Sequence, residues 1–580
     1  MTKLVIIGSG LAGKLAALYF SRYIEDIELV VIDPRKDNLP IVGESTVEIT
    51  AQFLKSLDLS RHLEEEHYHK YGLTYYFRTD GDEDGYDYAL HEAPGVIRLP
   101  AYNLNRWKFD RELTRRLAGR IVDVHGKVAD IAIAPKASGR RHRLKVMQDD
   151  GSEMTLEADY IVDTSGRSRF LANKLSLKKA PAYQRSSYWL RLEDFDREIL
   201  TSINARKIQH HCFDSYYVTH HFYGHGYWIW IIPMRSENSK DLLSFGYTYR
   251  PEICGEKVMS FDRLCEILKR DHPPLEAFIR SGKVIDETRY YNYMYESEKY
   301  YSMDGWFLLG DAAFTFDPAN SAGIAYLSHQ IPQIASFILK DRVGTLTEGY
   351  VASLEMHLRA QLALQDTWSC WYVFMKSPIK MAWTLLLANM GYFHIVVPNC
   401  MSGAFLNGAV ARQFAKLVPR HEPSSQPAAY PFVSLLDEIE ATTDRKQVSK
   451  MIPALYEYTV PFSYYRPDGV NRSRLAARYF FKRAGLRLKA MAMLNWRPSL
   501  RHLNLFIRHG FGAVGDYLQA AFLSVFPLAY ARNERAGGED GSPFVPPHRF
   551  LGLDRHDAEG GTRPMTKDTL MTPMLPRDVT

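Results

Sequence analysis

The run Leu4-Val5-Ile6-Ile7 stops abruptly at Gly8-Ser9-Gly10-Leu11-Ala12-Gly13. A continuous apolar run of this kind is what a central parallel strand, buried on both faces, requires. Lys14–Tyr23 then reads as a helix, and Ile27–Ile32 as a second strand ending at Asp33. Strand, glycine turn, helix, strand and acid follow in the order and length of a dinucleotide-binding unit. Gly8 suits the tight turn, Gly10 lets a pyrophosphate approach the backbone, and Gly13 lets helix and strand pack closely. The helix start, with Leu11 and Ala12, presents N–H groups and a positive dipole end to phosphates. Asp33 is placed to accept hydrogen bonds from a ribose.

The remaining bulk properties set limits. A chain of 580 residues is too long for one core and predicts roughly two to four structural units. Hydrophobic residues at 46% and charged residues at 24% are ordinary for a soluble globular protein. A net charge of +5 is mild for this length and gives no argument for nucleic acid. The five cysteines (Cys212, Cys254, Cys265, Cys370, Cys400) are scattered, without zinc or redox spacing. They predict a reducing, cytoplasmic setting and no metal. Leu4–Ile7 is too short for a signal peptide.

Two further apolar strands end in Asp163-Thr164-Ser165-Gly166-Arg167 and in Gly310-Asp311-Ala312. Gly43-Glu44-Ser45-Thr46, Lys70-Tyr71-Gly72 ahead of an aromatic strand, Trp228-Ile229-Trp230-Ile231-Ile232-Pro233 and Asp317-Pro318-Ala319-Asn320-Ser321-Ala322-Gly323 complete the set. Together with the glycine turn, these motifs resemble those of the flavin-dependent halogenases.

That resemblance implies an α/β fold. It would be a Rossmann-like FAD-binding domain of the flavin monooxygenase type with an inserted substrate-side sheet (about 70–120 and 180–300) and a mainly helical C-terminal region. The expected divisions are 1–350, 351–534 and a tail, 535–580. FAD would contact the glycine turn, Asp33, the loop Glu44, Ser45 and Thr46, Arg106, Val128, Gly310 and Asp311. The backbone N–H groups of Ala322 and Gly323 would bind chloride or bromide at a helix start. Lys70 would be catalytic: reduced flavin and O2 form a hydroperoxide, halide attacks it, and the lysine holds the hypohalous acid beside the substrate. Trp228 and Trp230 would belong to the barrier between flavin and substrate. FADH2 would come from a separate flavin reductase.

Tryptophan halogenases carry an acidic residue immediately before the Ser-x-Gly of the halide loop. Asn320 stands there, and an amide is no base at neutral pH. The expected substrate is therefore an electron-rich phenol or pyrrole, free or on an acyl carrier protein. His220, His221 and His225 lie just upstream of the tryptophans and read as polar strand residues, with a base or a substrate hydrogen bond as the alternative. Two other readings stay open on sequence alone. One is a monooxygenase of the same fold with a structural Lys70; the other is a catalytically silent flavoprotein that binds a partner or membrane.

In the C-terminal third, Met381–Ala411 holds no Asp, Glu, Lys or Arg. Its Pro398 and Gly391 argue against a membrane span and for buried helices over a substrate pocket, the alternative being an apolar surface that receives a lipid-like substrate or touches a membrane. Arg466–Arg508 carries eleven Lys or Arg against one acid, Asp468. This basic amphipathic pattern suits a carrier protein, an anionic membrane surface or a solvated face.

Overall fold

In the computed structural model, two seven-stranded sheets carry the architecture. The structure describes residues 1–368, apart from 36–40, 71, 78–87, 92–100, 140, 182, 206–215 and 239, and scattered residues between 372 and 441. Arg466–Arg508 and the tail 535–580 lie outside the described residues, as does most of Met381–Ala411.

The first sheet runs in the order Trp306–Leu308, Tyr160–Asp163, Thr2–Ile7, Ile27–Asp33, Val122–Ala132, His142–Gln148, Glu153–Ala158. Its first five strands pair in parallel and the last two close an antiparallel meander. Leu4, Val5 and Ile6 are fully buried, as the continuous apolar run requires. Helices Leu11–Tyr23 and Gly323–Arg342 pack against each other beside this sheet. The sheet thus gathers the C-terminal ends of strands 2–7, 160–163 and 306–308 at one edge, where α/β folds bind ligands.

The second sheet runs Lys283–Tyr290, Ser186–Glu193, Asp241–Tyr249, Tyr227–Arg235, Thr219–Gly224, Leu73–Phe77, Tyr88–His91. Its strands alternate strictly between two faces. Tyr227, Ile229, Ile231, Phe245, Tyr247, Tyr188 and Leu190 share one core with residues of helices Phe261–Asp271 and Pro273–Ser281. Trp228, Trp230, Ser244, Gly246, Trp189, His221 and Tyr75 occupy the opposite face. Pro233 is tolerated in an internal strand because pairing with the Thr219–Gly224 strand ends at Ile231.

Helix Arg106–Leu117, which falls within the 70–120 stretch expected to include the substrate-side sheet, packs on Leu11–Tyr23. Helix Glu348–Trp368 runs through the expected boundary at 350/351. Its Tyr350, Val351, Leu354 and Leu358 join the N-terminal core, so apolar burial assigns this helix to that core. Among the described residues, no helix is long and apolar enough to cross a membrane.

Candidate active site

The three glycines of the turn differ in what surrounds them. Gly8 has φ +105°, and a Cβ there would lie 2.7 Å from the Thr164 carbonyl oxygen. A Cβ on Gly13 would lie 2.1 Å from the Gly8 oxygen, so this glycine is required by packing. A Cβ on Gly10 would meet no protein atom nearer than Arg35, at 3.9 Å. The space over Gly10 is open, as a ligand-facing glycine requires. Asp33 accepts from the Ser9 N–H at 2.6 Å and from Arg35 Nε at 3.0 Å and Nη2 at 2.8 Å. Burial opposes its charge, but these bonds hold the carboxyl down at about 2.

Gly310 lies against this turn: its ideal Cβ would be 3.2 Å from Ala12 Cβ. Its N–H donates to Gln330 Oε1 at 3.1 Å. Asp311 is exposed beside it, within electrostatic reach of Arg167 and Arg106. Arg106 forks onto Asp110 at 3.0 and 3.1 Å and donates its remaining Nη1 to the Val42 carbonyl at 3.0 Å. It therefore fastens the loop that carries Glu44. The side chain of Val128 is core, at an irregularity in the meander. Asp163 is spent on its own turn, accepting from the N–H groups of Ser165 and Leu171 at 2.8 and 2.7 Å. An open Gly10 cradle with Gly310 and Asp311 beside it fits a dinucleotide such as FAD; the residues that would hold it are the glycine turn, Asp311 and the 43–46 loop.

That loop is stitched to strand Tyr102–Asn103. Thr46 Oγ1 donates to the Tyr102 carbonyl at 2.9 Å and accepts from its N–H at 2.7 Å. The Ser45 and Thr219 hydroxyls share a 2.9 Å bond. Glu44 is buried, and burial pushes its carboxyl up to about 7, against a hydrogen bond from Ser244.

Lys70 is buried, with 6% of its surface exposed, so it is not a surface lysine. Its ammonium donates to the Thr46 carbonyl at 2.9 Å and to Ser321 Oγ at 3.2 Å. One cation thus joins the 43–46 loop to the 317–323 loop. In the latter, Asn320 (φ +64°) and Ser321 (φ +59°) are consecutive left-handed residues without being glycine. Each costs about 1–2 kcal/mol and persists only where its surroundings over-determine it. Asn320 Oδ1 accepts from the Tyr75 hydroxyl at 3.1 Å. Gln365 Nε2 donates to the carbonyls of Asp317 and Ala319 at 3.1 and 3.3 Å. After the loop, Gly323 opens a 20-residue helix that has no side-chain cap, and a Cβ on Gly323 would meet nothing within 4 Å. An uncapped helix start facing open space suits an anion.

The tryptophan pair is buried, with ring centres 5.5 Å apart. Trp228 Nε1 donates to the Tyr372 hydroxyl at 2.8 Å, and Tyr372 donates to Asp317 Oδ2 at 2.8 Å. Arg185 Nη1 pairs with the same carboxyl oxygen at 2.8 Å. Trp230 Nε1 donates to Ser244 Oγ at 3.2 Å. The ring of Trp230 lies over Gly246, whose ideal Cβ would be 1.8 Å from Trp230 Cζ2.

Arg185, Tyr372, Ser244 and Gly246 were not anticipated. Only Gly246, a glycine inside an aromatic strand, carried a signal, because such glycines mark close approaches. His220 is a core residue bonded to the Tyr76 hydroxyl at 2.9 Å, and His225 is exposed in a turn. His221 stacks on Trp228 at 5.4 Å and lies tilted against Tyr75 at 5.1 Å, and burial pushes its imidazole down to about 3.

The family model described as tryptophan halogenase matches residues 3–88 and 92–357, more than half of the chain. The flavin-dependent halogenase chlA of Dictyostelium discoideum is 29% identical over 441 residues, covering 68% of this chain and 70% of its own. The 1H-pyrrole-2-carbonyl-[peptidyl-carrier protein] brominase of Pseudoalteromonas luteoviolacea is 24% identical, covering 56% of this chain and 73% of its own. The crystal structure of the halogenase PltM superposes with a TM-score of 0.57 at 15% identity, over 79% of this chain and 96% of that one. The brominase Bmp2 superposes at 0.54 with 18% identity, over 76% of this chain and 100% of that one; at these identities the likeness is one of fold. The chain belongs to the tryptophan halogenase family, the FAD-, halide- and O2-using flavin-dependent halogenases.

Proposed function

We propose that this chain halogenates an electron-rich phenol or pyrrole, using hypohalous acid held by Lys70. The supporting observation is that the Lys70 ammonium donates at once to the 43–46 loop and to Ser321 of the 317–323 loop. Bound reduced flavin would supply the electrons that activate O2. Ala322 and Gly323 at the helix start would hold chloride or bromide. The buried ammonium would then give a proton to the oxygen of hypohalous acid, which leaves as water while the halogen bonds to a ring carbon, and the proton lost from that carbon restores the ammonium. Trp228 and Trp230 would line the barrier that keeps the organic substrate from the flavin.

Asn320 supports an activated ring. Its amide oxygen is engaged by Tyr75 and supplies no base to assist proton loss from the substrate, so a ring needing less help is favoured. Delivery on a carrier protein accords with the Pseudoalteromonas relative, a brominase of a pyrrole held on a peptidyl carrier protein. The test is a competition between phenol, pyrrole and indole probes, free and carrier-bound, with reduced FAD, O2 and bromide. Brominated phenol or pyrrole is expected; selective bromination of indole would overturn the substrate reading. An oxygenated product indifferent to bromide would instead indicate a monooxygenase.

A further inference from the structure

Resting on the halide reading of residues 317–323, we infer that Arg185 and Tyr372 are positioning residues that couple this loop to the indole of Trp228. A single hydroxyl makes the link: Tyr372 Oη accepts from Trp228 Nε1 and donates to Asp317 Oδ2, both at 2.8 Å. Displacing Asp317 moves this oxygen, and the indole must follow or lose its partner.

Arg185 holds Asp317 from the other side. The guanidinium is fully buried, paired with Asp317 Oδ2 at 2.8 Å and packed between the rings of Tyr183 and Tyr372 at 4.6 and 5.1 Å. A buried carboxylate deprived of its cation is left uncompensated, so Asp317 cannot keep this position alone. Asp317 also uses Oδ1 to accept the Ala319 N–H at 2.9 Å. It is therefore the hinge pin of a loop whose next residues, Asn320 and Ser321, are in left-handed backbone. Strained backbone needs such anchors, and releasing one lets the loop relax. Relaxation would withdraw Ser321 from Lys70 and shift the amides of Ala322 and Gly323. The halide cradle and the tryptophan barrier thus respond to one pair of side chains.

The test uses the full chain with 15N-labelled tryptophan, the Trp228 indole signal being assigned from Trp228→Phe. Arg185→Met should shift the Trp228 signal, the effect passing by way of Asp317 and Tyr372. In the FAD-loaded enzyme, bromide diverts oxidant from hydrogen peroxide, so peroxide yield against bromide reports halide engagement. Tyr372→Phe should raise the half-effective bromide concentration about tenfold, the size expected for a lost bond to a charged group, with FAD affinity unchanged. An unmoved Trp228 signal in Arg185→Met, or an unchanged bromide response in Tyr372→Phe, would overturn the coupling. Should Arg185→Met not fold, Tyr372→Phe carries the decision. A wild type without any bromide response would refute the halogenase reading, while the indole shift would still decide the coupling.

Discussion

Ser321, held in left-handed backbone at φ +59°, places its hydroxyl 3.2 Å from the Lys70 ammonium. The two are 251 positions apart in the chain, and Lys70 also bonds the Thr46 carbonyl. Three motifs that are separate in sequence therefore meet at one cation.

Ser321→Ala removes that hydroxyl without adding volume. Halogenated product should form about tenfold more slowly, since bonds to charged groups are worth about 1.5–3 kcal/mol. FAD affinity should not change. Steady-state product formation and a flavin fluorescence titration check this; equal loss of both would show that the serine supports the fold rather than the lysine.

Gly10→Ala and Gly13→Ala should separate a ligand-facing glycine from a packing glycine. The nearest atom to a Cβ on Gly10 is 3.9 Å away, whereas on Gly13 it is 2.1 Å away. Gly10→Ala should keep the melting temperature and weaken FAD binding. Gly13→Ala should lower the melting temperature of the flavin-free protein, by an overpacking cost of about 1–3 kcal/mol.

Glu44 gives a signed pH dependence. Its folded-state value of about 7 lies above the ordinary 4.5, so between these the folded chain keeps a proton that the unfolded chain has lost. Its contribution to stability falls as pH rises through this window and returns on acidification. The full swing is on the order of 3 kcal/mol. Glu44→Gln does not titrate, so melting curves of the flavin-free variant should decline less from pH 4.5 to 7. Parallel declines for the two proteins would contradict the assignment.

Gly246→Ala should drive the Trp230 ring off its strand and break its bond to Ser244, because the new Cβ would fall 1.8 Å from the ring. Loss of stability of about 1–3 kcal/mol is expected from overpacking, read by denaturant unfolding. A neutral effect would mean that the indole has another place to lie.

Much of this was legible in the residues, for identifiable reasons. The run Leu4–Ile7 and the turn Gly8–Gly13 are local patterns whose physics needs no distant partner, and the strand, turn and helix appear where they point. The alternation of Trp228 and Trp230 likewise puts both rings on one face. The partners of buried polar groups were not legible. That Asp317 needed a cation follows from burial, but that Arg185 supplies it depends on how a second sheet docks. Helix Arg106–Leu117 lies between the second sheet's strands in sequence yet packs on Leu11–Tyr23, a docking that sequence order alone does not reveal.

The most direct test is isotope-resolved mass spectrometry of product from wild type and Lys70→Met, with reduced FAD, O2 and bromide. Lys70→Met preserves stem volume and removes the ammonium. A bromine doublet in the wild-type product that is lost in the variant, with FAD binding retained, is the predicted result. Equal bromination by both proteins would contradict the role assigned to Lys70.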